Sequence, residues 1–306
     1  MCTNTVARAV SRALGRADAD DAAEPAQRSA QKLCTTAPLP WHIPPALSAQ
    51  LASAQAAFTR VTGALQTSVL AYDAYGASRI KTAGAPPDAW AQMAIQLAHF
   101  RAYGFPAPTY ESTSTRAFAH GRTETTRSAS AAAMAFVTAM DARPALASPL
   151  HTTYKHRLML EACAQHSIIA KTAKAGMGVD RHLLGLRMCA TALATEGVRA
   201  SGGEDAGTAP LHAFFSHPTV AQSKHWRLST SHCGSEATSL FGFGPVVEDG
   251  FGVAYFVSRT NMAFNVTAWS GLGSSPSTSA AHLSEALRAS LDDMSALADA
   301  CAANQR

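Results

Sequence analysis

The sequence predicts a mixed α/β fold, of the α/β or α+β kind, in which helices flank a mixed sheet. Three observations predict it. Apolar residues recur at helical spacing in several segments of the first two hundred positions, the pattern turns to strand after residue 224, and a last helical pattern closes the chain. Hydrophobic residues make up 47% of the 306 and charged residues 15%, enough to build a packed core.

Each element has its own reason. Arg8, Arg12 and Arg16 recur every four positions, as they would in an amphipathic mitochondrial presequence or in an ordinary helix. Residues 17–40 are acidic, then polar, then proline-bearing, as a surface connection would be. From Pro45, Leu47, Leu51, Phe58, Val61, Leu65 and Val69 keep three-, four- and seven-residue spacing, which predicts one buried helical face ending at Gly76. A basic loop from Ala77 to Pro87 follows. Asp88 then opens a helix with Trp90, Met93, Leu97 and Phe100 on one side and Gly104 past its end.

Residues 105–127 are threonine-rich and lack helical periodicity. Helices return at 128–141, 151–173 and 182–197, and Gly202-Gly203 marks a loop. Trp226 to Ser231 reads as a short strand. Val246-Val247 and Val253 to Val257 flank Glu248-Asp249-Gly250 as a hairpin would. Met262, Phe264, Val266 and Ala268 alternate as a half-buried strand, and Leu283, Leu287, Leu291, Met294 and Leu297 predict the closing helix.

Composition narrows the function. Lysine and arginine number 25 against 21 acidic residues, and the resulting charge of +4 is too small and scattered to recognise nucleic acid or an anionic membrane. Six cysteines without C-x-x-C spacing form neither a disulfide framework nor a zinc site, which suits a reducing compartment. No apolar run approaches the ~20 residues that cross a bilayer. The usual hydrolase elbow, zinc-protease and phosphate-loop signatures are missing, so no metal or tightly bound cofactor is expected.

Four polar segments remain that packing alone does not require. They are Tyr110-Glu111-Ser112 running on to Gly121-Arg122-Thr123-Glu124-Thr125 and Arg127-Ser128; Asp180-Arg181-His182-Leu183-Leu184-Gly185-Leu186; Ser229-Thr230-Ser231; and Phe243-Gly244-Pro245-Val246-Val247-Glu248-Asp249-Gly250. In this order they resemble the choline/carnitine acyltransferase family, from about residue 36 to the carboxyl terminus.

The resemblance implies reversible transfer of an acyl group between coenzyme A and the hydroxyl of carnitine. A histidine removes the hydroxyl proton, the alkoxide attacks the thioester, and an oxyanion forms. By similarity Ser231 donates to that oxyanion and Ser229 faces the same pocket. Arg181 matches the arginine that holds the carnitine carboxylate, with Tyr110, Thr123 and Ser112 as hydroxyl partners. A buried arginine at that place would disfavour choline, which brings no anion to neutralise it. Phe243 lies where the trimethylammonium meets an aromatic face.

On the coenzyme side, Lys81 and Asp88 match contacts to the nucleotide end, and Arg79 offers a further phosphate contact. Ala77, Ser167 and His232 depart from the lysine, arginine and glutamine usual there, and His232 is carried as a coenzyme contact. Phe241 stands where long-chain members keep a small residue, which implies acetyl or propionyl.

The resemblance also implies a chloramphenicol-acetyltransferase-like domain from about residue 45 to 306, with residues 1–44 belonging to a preceding domain. The general-base histidine of the family precedes the Tyr110 segment by roughly a hundred residues, and no histidine of this sequence stands in that setting. The expectation is a carboxyl-terminal half completed by an amino-terminal one. The alternative is a binding module for carnitine or coenzyme A that lacks turnover. Family members work in mitochondria or peroxisomes; the tail Ala303 to Arg306 is not a peroxisomal signal.

Overall fold

The computed structural model describes residues 37–142, 149–201, 209–233, 238, 240–270 and 278–304. Contacts divide the chain into two units, Met1–Ala64 with Ser235–Ser239, and Leu65–Gly234 with Leu240–Arg306. The amino-terminal helix expected around Arg8 to Arg16 and the Gly202-Gly203 loop lie outside the described residues.

In the first unit, helix α1 (Pro45–Gly63) begins with proline, whose fixed φ suits the first helical turn. None of its residues is buried. Leu47, Leu51, Phe58 and Val61 had been expected to form a buried face, and here they are exposed.

The second unit is a six-stranded open sheet with helices. In chain order it contains β1 (Leu65–Tyr72), α2 (Ala77–Thr82), α3 (Pro87–Tyr103), β2 (Thr109–Ser114), β3 (Thr123–Thr126), α4 (Ala131–Asp141), α5 (Pro149–Lys174) and α6 (Val179–Ser201). Then come α7 (Ala209–Ser216), α8 (Pro218–Ser223), β4 (Leu228–His232), β5 (Phe251–Val257), β6 (Met262–Trp269) and α9 (Ala280–Asn304). The strand order is β1-β6-β5-β4-β2-β3. The β2–β4 and β4–β5 pairs are parallel and the others antiparallel, so the sheet is mixed, as the sequence predicts.

Three local readings are corrected. The helix expected to run from Pro45 to Gly76 stops at Gly63, and Leu65–Tyr72 pairs with β6. Leu65 and Val69 fit helical spacing, but alternation decides: Leu70 and Tyr72 are buried, whereas Val69 is 55% exposed. Gln66 and Ser68 on the inward side hide that period from a reading based on apolar residues.

Next, Val246-Val247 forms no strand. Glu248-Asp249-Gly250 belongs to a turn closed by Gly250 N donating to Val247 O at 3.1 Å. The hairpin is β5–β6, turned at Ser258–Asn261.

Finally, the loop after Gly76 contains α2. A Cβ at Gly76 would lie 2.5 Å from Ser258 O and Asn261 N, so only glycine admits this approach to the β5–β6 turn.

Helices α3, α5 and α9 pack on the near face of the sheet. Helix α3 is buried on every side from Ala89 to His99, beyond the single face expected. Alanines at 89, 91, 94 and 98 let its neighbours close in, and its buried polar side chains find partners, His99 through Nδ1 alone. Gln96 donates to Thr109 Oγ1 at 2.7 Å and His99 Nδ1 meets Phe105 O at 3.1 Å. Burial holds His99 down at about 4, so its ring is neutral in the core.

Candidate functional site

Strand register sorts the predicted residues by face. Tyr110 stands opposite Ser229, Ser229 opposite Gly252, and Gly252 opposite Thr267, a row across four strands on the far face. A parallel row holds Ser231, Ala254 and Asn265. Because side chains alternate, Ser112 shares this face with Tyr110, while Glu111, Thr230 and His232 point to the near face.

Arg181 joins the far-face group from the first turn of α6. Its Nε donates to Thr123 O at 2.8 Å, and its Nη2 donates to Thr123 Oγ1 at 3.2 Å and Tyr110 Oη at 3.3 Å. Tyr110 Oη and Thr123 Oγ1 are 3.4 Å apart. All three acceptors are neutral, and among the described residues no carboxylate forms an ion pair with Arg181. The guanidinium is thus fixed in place with its charge unmatched. It is exposed, which corrects the expectation of a buried arginine and removes the argument from burial cost in this chain.

Local folding puts Arg181 there. The buried Glu124 carboxylate accepts from Arg181 N at 3.2 Å, holding a backbone N–H that the start of α6 leaves without a partner. Gly178 makes room, since a Cβ there would lie 2.3 Å from Glu124 Cγ. Next to it, Arg127 grips both oxygens of Asp180 at 2.9 and 2.7 Å, donates to Ser223 O at 2.9 Å and lies over Trp226 at 4.5 Å. The charge of Arg127 is matched by Asp180, whereas Arg181 has charge to spare.

Above β5 and β6 runs a segment without regular structure that carries Phe241 and Phe243. Phe241 sits edge-on to Phe256 at 5.4 Å and tilted to Phe243 at 6.3 Å. Ser231, half-buried, lies at the carboxyl end of β4.

The near face holds a buried polar cluster that the motifs did not reveal. His166 Nε2 lies 3.1 Å from Glu111 Oε2 and 3.7 Å from Asp88 Oδ2. Tyr255 Oη donates to Asp88 Oδ1 at 2.7 Å. Burial alone would lower His166, but the Asp88 and Glu111 carboxylates beside it outweigh that and hold the imidazole at about 9. Burial, aided by the Asp88 charge, pushes Glu111 up. Burial acts in the same direction on Asp88, yet His166 and Tyr255 draw it below the ordinary carboxylate value. Three possible ligand atoms lie within 4.8 Å here, and with both carboxylates facing the imidazole the group forms an ion-pair cluster.

A chain of hydrogen bonds links the cluster to the backbone of β2. Gln92 Nε2 donates to Tyr255 Oη at 2.9 Å and Thr230 Oγ1 at 3.0 Å, and Thr230 Oγ1 donates to Tyr110 O at 3.2 Å. Alternation along β2 could have flagged Glu111, a carboxylate on the buried side; its partner 55 residues on could not be read.

The predicted coenzyme residues are less tightly grouped. Asp88 belongs to the cluster, and His232 stacks on Tyr255 at 5.2 Å. Arg79 is ion-paired with Asp299, whereas Lys81 is exposed on α2.

A family model described as Choline/Carnitine o-acyltransferase matches residues 3–289. Carnitine O-palmitoyltransferase 2, mitochondrial, of Rattus norvegicus is 36% identical over 234 residues, 76% of this chain and 33% of the relative. Carnitine O-acetyltransferase of Homo sapiens is 34% identical over 259 residues, 85% of this chain and 38% of the relative. Choline O-acetyltransferase of Mus musculus is 32% identical over 267 residues, 87% and 38% respectively. The chain spans about a third of the length of these relatives. With the motifs, the mixed sheet and a match over nearly its whole length, the chain belongs to the choline/carnitine O-acyltransferase family.

Proposed function

We propose that this chain supplies the acceptor site of a carnitine O-acyltransferase, which moves a short acyl group reversibly between coenzyme A and the carnitine hydroxyl. One observation carries the choice of carnitine. Arg181 is held by three neutral oxygens with its charge unmatched, beside the hydroxyls of Tyr110 and Thr123. A carboxylate completes that arrangement and a ligand without one does not. Ser112 and Ser229 add hydroxyls on the same face, and Phe243 offers its ring to the quaternary ammonium. Ser231 serves as oxyanion donor. Lys81, Arg79, Asp88 and His232 take the coenzyme A side.

Replacing Arg181 with glutamine tests the reading. A hydrogen bond to a charged group contributes about 1.5–3 kcal/mol, so carnitine affinity is expected to fall roughly 10- to 100-fold while choline affinity stays within twofold. Calorimetry on both ligands decides; unchanged carnitine binding would refute the assignment.

Acyl length rests on Phe241. Its ring packs with Phe256 on the far face beyond Ser231, where a long chain would need space. In a complete enzyme containing this chain, Phe241→Gly is expected to raise turnover of palmitoyl-coenzyme A relative to acetyl-coenzyme A by about tenfold, since removing a blocking aromatic admits methylenes worth about 0.8 kcal/mol each. A wild-type preference for palmitoyl would reverse the reading.

A second reading has its own support. His99 lies in the core, and His166 and His232 belong to the near face, opposite to the face that carries Tyr110, Ser229 and Ser231. On this reading the 306-residue chain, taken by itself, binds carnitine without releasing thiol. Calorimetry beside a thiol-release assay separates the two: binding with no release supports the binding module, and release supports a base within this chain.

A further inference from the structure

The segment bearing Phe241 and Phe243 belongs to no strand or helix, yet side chains from β6 hold two of its carbonyls. Asn265 Nδ2 donates to Phe241 O at 3.2 Å, and Thr267 Oγ1 donates to Phe243 O at 2.6 Å. Thr267 is 3% exposed. Its hydroxyl has one proton and two acceptors in reach, and Phe243 O at 2.6 Å is nearer than Gly252 O at 3.3 Å.

Gly252 keeps the path clear. A Cβ there would lie 2.6 Å from Phe243 O, 3.2 Å from the Phe243 ring and 2.5 Å from the Thr267 hydroxyl. Thr267 and Gly252 share the row that runs through Ser229 to Tyr110, whose hydroxyl meets Arg181. One row of the sheet therefore anchors both ends of the site.

On the reading that Phe243 faces the quaternary ammonium, we infer that Thr267 is a positioning residue for ammonium recognition, acting through the Phe243 backbone. The attraction between a cation and a ring operates within about 6 Å of the ring centre, so ring placement decides whether it acts. A hydroxyl that fixes one carbonyl sets that placement without touching the ligand.

The test uses Thr267→Val, which keeps the side-chain shape and removes the donor, and Thr267→Ser, which keeps the donor. Ligand-observed NMR, suited to weak binding, would follow carnitine and 3-hydroxybutyrate against the 306-residue chain. The second ligand retains the carboxylate and hydroxyl but has no quaternary ammonium. Thr267→Val is expected to weaken carnitine about 5- to 10-fold, inside the roughly 2- to 30-fold span of one such contact, with 3-hydroxybutyrate unchanged and Thr267→Ser close to wild type.

Gly252→Ala, which presses on the same carbonyl, should give the same ligand-selective loss and covers the case in which Thr267→Val does not fold. Equal weakening of both ligands by whichever variant folds, or no change for carnitine, overturns the inference. Wild-type protein that binds carnitine no better than 3-hydroxybutyrate overturns the reading of Phe243 beneath it, and with it the role of Thr267.

Discussion

Replacing His166 with leucine is expected to destabilise the fold by about 3–5 kcal/mol, the cost of leaving the buried Glu111 carboxylate without its cation. His166 is 1% exposed and Glu111 is 6% exposed, so water cannot take over the missing role. Urea unfolding at neutral pH measures the loss. The double variant His166→Leu, Glu111→Leu is expected to lose less than the sum of the single changes, because it removes both members of the pair.

The pH dependence follows with a definite sign. His166 has an ordinary value of 6.5 and sits at about 9 in the folded chain. The proton it holds stabilises the fold fully below 6.5, and that contribution fades as pH rises through about 9. A shift of this size corresponds to about 3 kcal/mol. Glu111, pushed up by burial, acts in the same direction: what its proton contributes below the ordinary glutamate value is lost as pH climbs through the raised one. Wild-type stability should therefore fall more steeply than that of His166→Leu between neutral and alkaline pH. Parallel curves would show that His166 is not where the proton is held.

In a complete enzyme containing this chain, Ser231→Ala is expected to lower kcat by about 10²–10³ while the KM for carnitine moves little, the pattern of an oxyanion donor that acts only in the transition state. The placement fits that role. Ser231 lies at the carboxyl end of the parallel strands β2, β4 and β5, where open α/β sheets gather their ligands. It shares a face with Tyr110 and Ser229, and through Tyr110 with Arg181. Ser229→Ala serves as the comparison. A residue that only lines the pocket should change KM more than kcat, and equal profiles for the two variants would remove the special role of Ser231.

Chemistry was more legible in this sequence than architecture. Tyr110, Thr123 and Arg181 could be grouped from their motifs, and the fold brings their hydroxyls and guanidinium within hydrogen-bonding distance. Whether that arginine finds an ion-pair partner could not be read. Only the surroundings show that Asp180, its neighbour in sequence, is taken by Arg127 and that Arg181 itself remains exposed.

By itself the sequence determined the mixed α/β class, the helices α3 to α6 and α9 in outline, the strands around β4 to β6, and the family. Those features rest on local period and on short motifs, which need no knowledge of distant residues. Tertiary structure alone decided that Leu65–Tyr72 is a strand, because pairing with β6 overrides helical spacing. It also decided that Asp249 belongs to a turn whose carboxylate meets His225 and Arg227 instead of a hairpin, and that Asp88, Glu111 and His166 meet at one buried point. Each depends on partners tens to hundreds of residues away, and long-range pairing leaves no mark on the spacing of neighbours along the chain.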